Sequence, residues 1–394
     1  MQALAGVKVL EYAGFIAGPY CGRLLADLGA EVLKIEPPQG DPARSYGPYP
    51  RDVPHTERSA VFVQLNTNKL GITLDLNVPT GQDIFRELAK TADVVIEDCP
   101  PGYLASLGLG YEQLSKLNPS LVFTSITPFG QTGPYRDHKA YHINIFNATE
   151  GNSAARSKDG RPTMAGGFLG EYDSGLSAGV ATLAALYSAW FTGEGQHVDA
   201  SKFEAGAALQ RVDISIRRNR DRAPDYRRGA RIGGLVPCKD GYVVIAVVEE
   251  HQWQYLVDMM DNPEWANDPR YADRDRRPNY AREIQPRIIK WAKEHTKEEI
   301  YHKGQAAKCP VGPVLTIAEL FDSPQLAARD FFADIEHPEV GRHRQPTTAF
   351  KLSQSPWVAQ RPAPLLGEHN RDIYCDRLGY TQEELVKLRE AGVI

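Results

Sequence analysis

The chain has 394 residues, room for about two to three domains at roughly 150 residues each, and its 45 Lys and Arg against 50 Asp and Glu give a net charge of −5. Such a balance presents no global basic surface to nucleic acid or to an anionic membrane. With 42% hydrophobic and 24% charged residues, the composition is that of a globular protein and not of a disordered one.

The first half alternates strand and helix patterns. Val7–Tyr12 (VKVLEY) is β-rich, and Pro19–Leu28 puts Cys21, Leu24, Leu25 and Leu28 on one helical face before Gly29 stops it. Glu31–Glu36 and Ile72–Leu76 read as strands. A helix opens at Pro79-Thr80-Gly81 and runs to about Lys90. Asp93–Glu97 and Leu121–Thr127 are two more apolar strands. This alternation predicts an α/β fold whose mostly parallel sheet carries helices on both faces. Ligands on such sheets bind beyond the carboxyl ends of the strands. The candidate rim is therefore Tyr12–Pro19, Pro37, Asp98–Pro100 and Thr127–Phe129.

Ser174–Phe191 is rich in Ala, Gly and Leu and predicts a long, closely packed helix with Asp173 or Ser174 as its cap. Its most apolar stretch falls short of the ~20 apolar residues of a membrane span. Gln196–Ser201 reads as a strand. Arg217–Arg231 holds seven arginines in fifteen residues and predicts a linker or exposed loop. Two β-rich runs around Lys239-Asp240-Gly241 predict a hairpin, and amphipathic helices follow to about residue 332 as a smaller α+β domain. Arg344–Pro364 is a return crossing. Tyr380–Ile394 is a terminal helix with Thr381 and Glu384 as its capping box. The amino-terminal residues lack a secretory pattern. Five scattered cysteines, none in a C-x-x-C, fit a reducing cytoplasm.

Motif searches are mostly empty. The sequence has no G-x-G-x-x-G, no phosphate-binding lysine loop, no H-E-x-x-H and no EF-hand loop, and His and Cys never cluster at metal spacing. Neither a metal nor a nicotinamide cofactor has sequence support. Gly175-Leu176-Ser177-Ala178-Gly179 fits G-x-S-x-G, but no strand precedes it, so Ser177 reads as a helix-packing residue. Just upstream, Ala165–Asp173 (AGGFLGEYD) is a glycine-rich segment that brings Glu171 and Asp173 to the start of the long helix, where carboxylates are favoured.

The opening LAGVKVLEYAGFIAGPYCGRLLADLGAEVLKIEPPQGDPAR resembles that of class III coenzyme A transferases, the CaiB/BaiF family. So do NKLGITLDL, TGEGQHVDAS, AARDFFADIEHPEVGR and the terminal APLLGEHN, LGYTQEEL and GVI. The resemblance implies a large Rossmann-like domain from residues 1–205 and 345–394, a small α+β domain at 226–332, linkers at 206–225 and 333–344, and two interlocked copies. It implies CoA transfer from an acyl-CoA to a carboxylic acid. A carboxylate attacks the thioester to give an anhydride, and CoA returns to give an enzyme thioester. No permanently bound cofactor is implied, since CoA and acyl-CoA are substrates.

By position the nucleophile slot falls on Glu171, where the family normally has Asp. A glutamate at its ordinary pKa of ~4.3 is ionised at neutral pH, and Asp173 stands two residues on. The CoA-binding slots fall on Ile16 and Ala17, on Leu74, Asp75, Leu76 and Asn77, on Asp98, Cys99 and Pro100, and on Lys139, Ala140 and Tyr141. Ser106 and Pro37 occupy two slots that are basic in the family. Gly229, Gly233 and Gly234 are candidates for a loop shielding the anhydride from water. His142, in AYHINIFNATEG, resembles the base of the α-methylacyl-CoA racemase branch, which would pair it with Glu171 in proton transfer. Glu171 in place of the family Asp, and Ile143 where the racemase branch has an Asp after its His, also admit a non-catalytic subunit of a heteromeric transferase. The expected partners are acyl-CoA and acid substrates and a second copy or a paralogous subunit, with neither nucleic acid nor membrane.

Overall fold

The computed structural model describes residues 2–149, 163–209 and 232–394. Its first strands and helices are β1 (Lys8–Tyr12), α1 (Ala17–Asp27), β2 (Glu31–Glu36), α2 (Ala60–Asn66), β3 (Leu70–Thr73), α3 (Pro79–Ala89) and β4 (Val94–Glu97). They continue with two short helices, α4 (Tyr103–Ser106) and α5 (Tyr111–Leu114), then β5 (Val122–Thr127), α6 (His142–Thr149), α7 (Leu169–Thr192), β6 (His197–Ser201) and α8 (Lys202–Leu209). The six strands form one parallel sheet in the order β3-β2-β1-β4-β5-β6. Every residue of β4 and β5 is buried, as expected of central parallel strands covered on both faces.

Two apolar layers cover the sheet. On one face α1 and α7 meet through Cys21, Leu25, Ala178, Ala185 and Leu186. On the other, Ile84, Phe85 and Leu88 of α3 pack with Ile373, Tyr374, Val393 and Ile394 from the carboxyl-terminal segment. That segment is tied down by polar bonds as well. Tyr374 donates to the Thr73 carbonyl at 2.6 Å, and the Asp75 N–H donates to the Val393 carbonyl at 2.7 Å.

The chain divides into two compact units, Met1–Arg222 with Asp330–Ile394, and Ala223–Arg329. The second holds the antiparallel strands β7 (Gly234–Cys238), β8 (Gly241–Ile245) and β9 (Val311–Pro313). Its helices are α9 (Glu250–Met259), α10 (Ala281–Ala292), α11 (Lys297–Ala306), α12 (Ile317–Phe321) and α13 (Pro324–Ala328), and its core includes Trp253, Leu256, Ile284 and Ile300. Back in the first unit come β10 (Phe332–His337) and β11 (Gly341–Pro346), then α14 (Gln382–Glu390), which the Thr381–Glu384 capping box opens as expected.

Four expectations are corrected. Residues 333–344, expected to be a linker, form most of an antiparallel hairpin, with Phe332 opposite Pro346. The third strand ends at Thr73, and Leu74 and Leu76 are buried in the loop beyond it. The long helix starts at Leu169 instead of Ser174. Its N-cap is Phe168 in the left-handed region (φ 58°), so neither Asp173 nor Ser174 caps it. Residues 206–209 complete α8. The arginine-rich stretch at 217–231 lies outside the described residues.

Candidate functional site

In this strand order the chain leaves β1 toward β2 on one side and returns to β4 on the other. The crevice beyond the carboxyl ends of β1 and β4 is thus the switch point where such sheets bind ligands. A cavity of about 280 Å³ opens there, lined by Tyr12, Gly14, Pro37, Asp41, Asp98 and Pro100 among others. The backbone N–H of Gly14 donates to both Asp98 carboxylate oxygens at 3.0 Å, stitching the two strand ends together. Lost solvation raises the Asp98 carboxyl to about 7 although the residue keeps some exposed surface, and the neighbouring Lys202 charge pulls it partly back.

The loop after β1 is held from below by buried charge. Lys34 lies 2.6 Å from Asp41 and 3.3 Å from Glu11, and Lys69 lies 2.7 Å from Glu11. Asp41 in turn accepts the Phe15 N–H at 2.9 Å. Phe15 has φ +61°, a left-handed conformation that L-residues adopt at a cost. Its ring contacts Phe168 at 5.1 Å between centroids, and Tyr46 meets both rings at 5.4 Å. Two strained phenylalanines and a tyrosine thus join the β1 loop to the start of α7.

Glu171 stands in the first turn of α7, where unpaired backbone N–H groups favour a carboxylate, and it is 6% exposed. The glycines before it leave open space: a Cβ on Gly166 or Gly167 would meet nothing within 4 Å. The Glu171 carboxylate accepts from Lys202 Nζ at 2.6 Å. Lys202 is the first residue of α8, immediately after β6, and the Phe203 N–H to Pro128 carbonyl bond (3.0 Å) anchors that junction to the turn after β5. Sequence reasoning missed Lys202. The available signal was its place directly after a strand's carboxyl end.

His142 opens α6, 7% exposed, with its ring 5.4 Å from Phe168 and 5.7 Å from Phe146. A Cβ on Gly170 would lie 3.3 Å from the imidazole, so this glycine admits the ring beside Glu171. Burial lowers the His142 pKa against the opposing pull of Glu171, and Nε2 has no hydrogen-bond partner among the described residues. Asp173 is half-buried, and desolvation raises its carboxyl.

The structure gathers Glu171, His142, Lys202 and Asp98, and it brings Ile16, Ala17, Asp98, Cys99 and Pro100 to the switch point. Ile16 and Ala17 are buried at the start of α1. Leu74, Asp75, Leu76 and Asn77 follow β3, and Tyr103 donates to Asn77 Oδ1 at 3.0 Å, linking that loop to the segment after β4. Lys139 and Tyr141 are exposed ahead of α6, with Ala140 half-buried between them. Arg136, unforeseen, donates to the Pro101 carbonyl at 3.3 Å and lines a cavity of about 310 Å³ with Tyr103, Gln131 and Glu97. It puts a cation beside the Pro101–Gly102 backbone, at the start of the segment that leads to Ser106. Gly234 opens β7 in the second unit, Gly233 just before it is bonded to Gln285 in both directions, and Gly229 lies outside the described residues. Ser177 is exposed mid-helix and donates to the Asp173 carbonyl at 2.8 Å, so it is no nucleophile elbow.

A family model for CoA-transferase family III matches residues 4–370. The chain belongs to this family. As a class III CoA transferase it is similar along its whole length to characterised relatives. It is 34% identical to the succinyl-CoA–D-citramalate CoA-transferase of Chloroflexus aurantiacus, covering 100% of this chain and 98% of the relative. Identity is also 34% with the formyl-CoA:oxalate CoA-transferase of Streptomyces avermitilis, with both chains fully covered. With the succinate–glutarate CoA-transferase of Agrobacterium fabrum it is 33%, over 95% of each chain. The solved CaiB/BaiF family protein of Brucella suis superposes with a TM-score of 0.85 at 29% identity, covering 95% of this chain and 99% of that one. Among the described residues no helix is long and apolar enough to cross a membrane, and no group of three His, Cys, Asp or Glu is placed to hold a metal.

Proposed function

We propose that this transferase moves CoA from an acyl-CoA donor to a carboxylic acid acceptor with Glu171 as covalent nucleophile. The observation that carries the reading is the Glu171 carboxylate in the first turn of α7, held by Lys202 at 2.6 Å beside glycines that leave room for a thioester. Glu171 forms a bond to the acyl carbon, the C–S bond breaks, and CoA leaves as thiolate. CoA then attacks the glutamyl carbonyl, releases the donor acid and leaves a glutamyl–CoA thioester. The acceptor carboxylate attacks this thioester and expels CoA thiolate to give a second anhydride, and the thiolate attacks the acceptor carbonyl, releasing acceptor-CoA and the Glu171 carboxylate. The nucleotide end of CoA lies over the β1–β4 crevice, with Arg136 and Lys139 as its cations.

Relatives named for succinate, citramalate, oxalate and glutarate define the first acids to try. The protein is incubated with each acyl-CoA and its peptide masses are taken. A CoA or acyl adduct on Glu171 is expected. The His142 imidazole beside Glu171, whose Nε2 has no hydrogen-bond partner among the described residues, keeps a second reading, α-proton transfer in an acyl-CoA. Deuterium uptake at the α-carbon without an adduct would establish it, and bound CoA with neither outcome would make the chain a non-catalytic subunit.

We also propose a cytoplasmic dimer. The five cysteines are free thiols, which supports the compartment. Leu176, Val180, Tyr187, Trp190 and Phe191 stand exposed along α7, which supports a second copy packed on this helix.

A further inference from the structure

Lys202 and Glu171 form a pair largely withdrawn from water, their side chains 16% and 8% exposed. Removing the charge from one member of such a pair leaves the other buried and uncompensated, which is strongly unfavourable. The proposed reaction does this at every turn, because Glu171 is neutral both as the anhydride and as the thioester. The groups facing Lys202 are Glu171 from α7, Asp98 beyond β4 and His142 from α6. His142 brings no negative charge. Asp98 is held by the Gly14 N–H at 3.0 Å, and burial raises its carboxyl to about 7, so it offers Lys202 less than a full negative charge at neutral pH. The anion that appears as Glu171 is neutralised is the leaving group itself.

We propose that Lys202 is the fixed counter-ion for the negative charge that travels through the reaction, pairing first with the Glu171 carboxylate and then with the departing CoA thiolate. When Glu171 Oε bonds to the acyl carbon and the C–S bond breaks, the electron pair moves to sulfur, and the ammonium follows the charge without gaining or losing a proton. When CoA returns, the donor acid leaves as a carboxylate and becomes the next partner. The ammonium then has an anionic partner in each bond-making and bond-breaking step, and thiolate departure is stabilised where charge develops. This inference rests on the reading of Glu171 as nucleophile.

The test is an ultraviolet titration of the CoA thiol bound to three proteins: Glu171→Gln, which presents the neutral side chain of the acylated state, and the same variant carrying Lys202→Met or Lys202→Arg. With Lys202 or Arg present, the bound thiol is expected to ionise about one pH unit or more below its value with Met. Equal thiol titrations in the Lys and Met proteins overturn the inference, as does an Arg protein that behaves like Met. Peptide masses of the wild type incubated with acyl-CoA separate the two levels. If they lack a Glu171 adduct, the nucleophile reading falls and this inference with it. If the adduct is present and the titration unchanged, the inference alone falls.

Discussion

Glu171 Oε2 lies 2.6 Å from Lys202 Nζ, and the two residues come from elements separated by a strand: one opens α7, the other opens α8 just past β6. Glutamate reaches this lysine from the first helical turn, and an aspartate backbone-fixed at the same place would stop one methylene short.

Glu171→Gln is expected to abolish the covalent adduct, as seen by peptide mass. Glu171→Asp keeps the charge but withdraws the carboxylate from Lys202. A displacement of that size is expected to cost about 10²-fold in kcat. Steady-state kinetics of the Asp variant check this, and full activity would detach the longer side chain from the lysine.

The sheet and its rim were legible in sequence because apolar β-runs alternated with helical faces, and Asp98–Pro100 fell on the rim by that pattern alone. The start of α7 was not legible. Its N-cap, Phe168, carries none of the Ser, Thr, Asp or Asn chemistry that marks a helix start, and is held by ring contacts with Phe15 and Tyr46 from distant segments. The end of β3 was misread for a related reason. Leu74 and Leu76 have strand composition but are buried among residues that include Val393 and Ile394, and only the folded chain brings that terminus there. Glu171 stands out in the sequence as a carboxylate after a glycine-rich segment at a helix start, and the resemblance adds its role and that of His142. Arg136 sits in GPYRDH, where a single basic residue carries no pattern, and Lys202 in SKFEA is marked only by its place just past a strand.

Stability is expected to fall as pH rises from about 4 to about 7 through two carboxyls. Desolvation raises Asp98 from 3.8 and Glu97 from 4.5, each to about 7. A group whose folded value lies above its unfolded value holds a proton that the unfolded chain has released, so each pH increment in that window favours unfolding. Asp98→Asn removes one of the two contributions and can still accept from Gly14. Its melting temperature is expected to gain on the wild type at pH 8 more than at pH 5. Parallel melting curves across that range would refute the assignment.

Arg136→Ala is expected to raise the KM for acyl-CoA and leave kcat nearly unchanged, because the guanidinium sits beside the Pro101–Gly102 backbone and not at Glu171. A charge-assisted bond contributes ~1.5–3 kcal/mol, but this side chain is 40% exposed and salt screens it, so an effect of several-fold in KM is expected. The difference between variant and wild type is expected to shrink as ionic strength rises. An unchanged KM at low salt would remove Arg136 from the binding surface.

Gly175→Ala sets two effects against each other. Ala is favoured over Gly inside a helix by about 1 kcal/mol. At this position, however, a Cβ would lie 2.5 Å from the Ala17 carbonyl oxygen and 3.2 Å from Tyr20, so α1 and α7 must separate. Overpacking of this kind costs roughly 1–3 kcal/mol, and because the obstructing atom is backbone, relief by a rotamer change is not available. Net destabilisation in denaturant titration is therefore expected. Activity is expected to fall by more than the stability loss explains, since α1 carries Ile16 and Ala17 at its start and α7 carries Glu171, and both move with the helices.

Val180→Glu tests the exposed face of α7. Val180 is 62% exposed and lies between Leu176 and Tyr187 on the same stripe, so a carboxylate there meets water in a lone chain and apolar surface in a paired one. Light scattering is expected to give the mass of a dimer for the wild type and a shift toward the 43.7 kDa monomer for the variant. A wild-type monomer, or a dimer unaffected by the charge, would place the contact elsewhere.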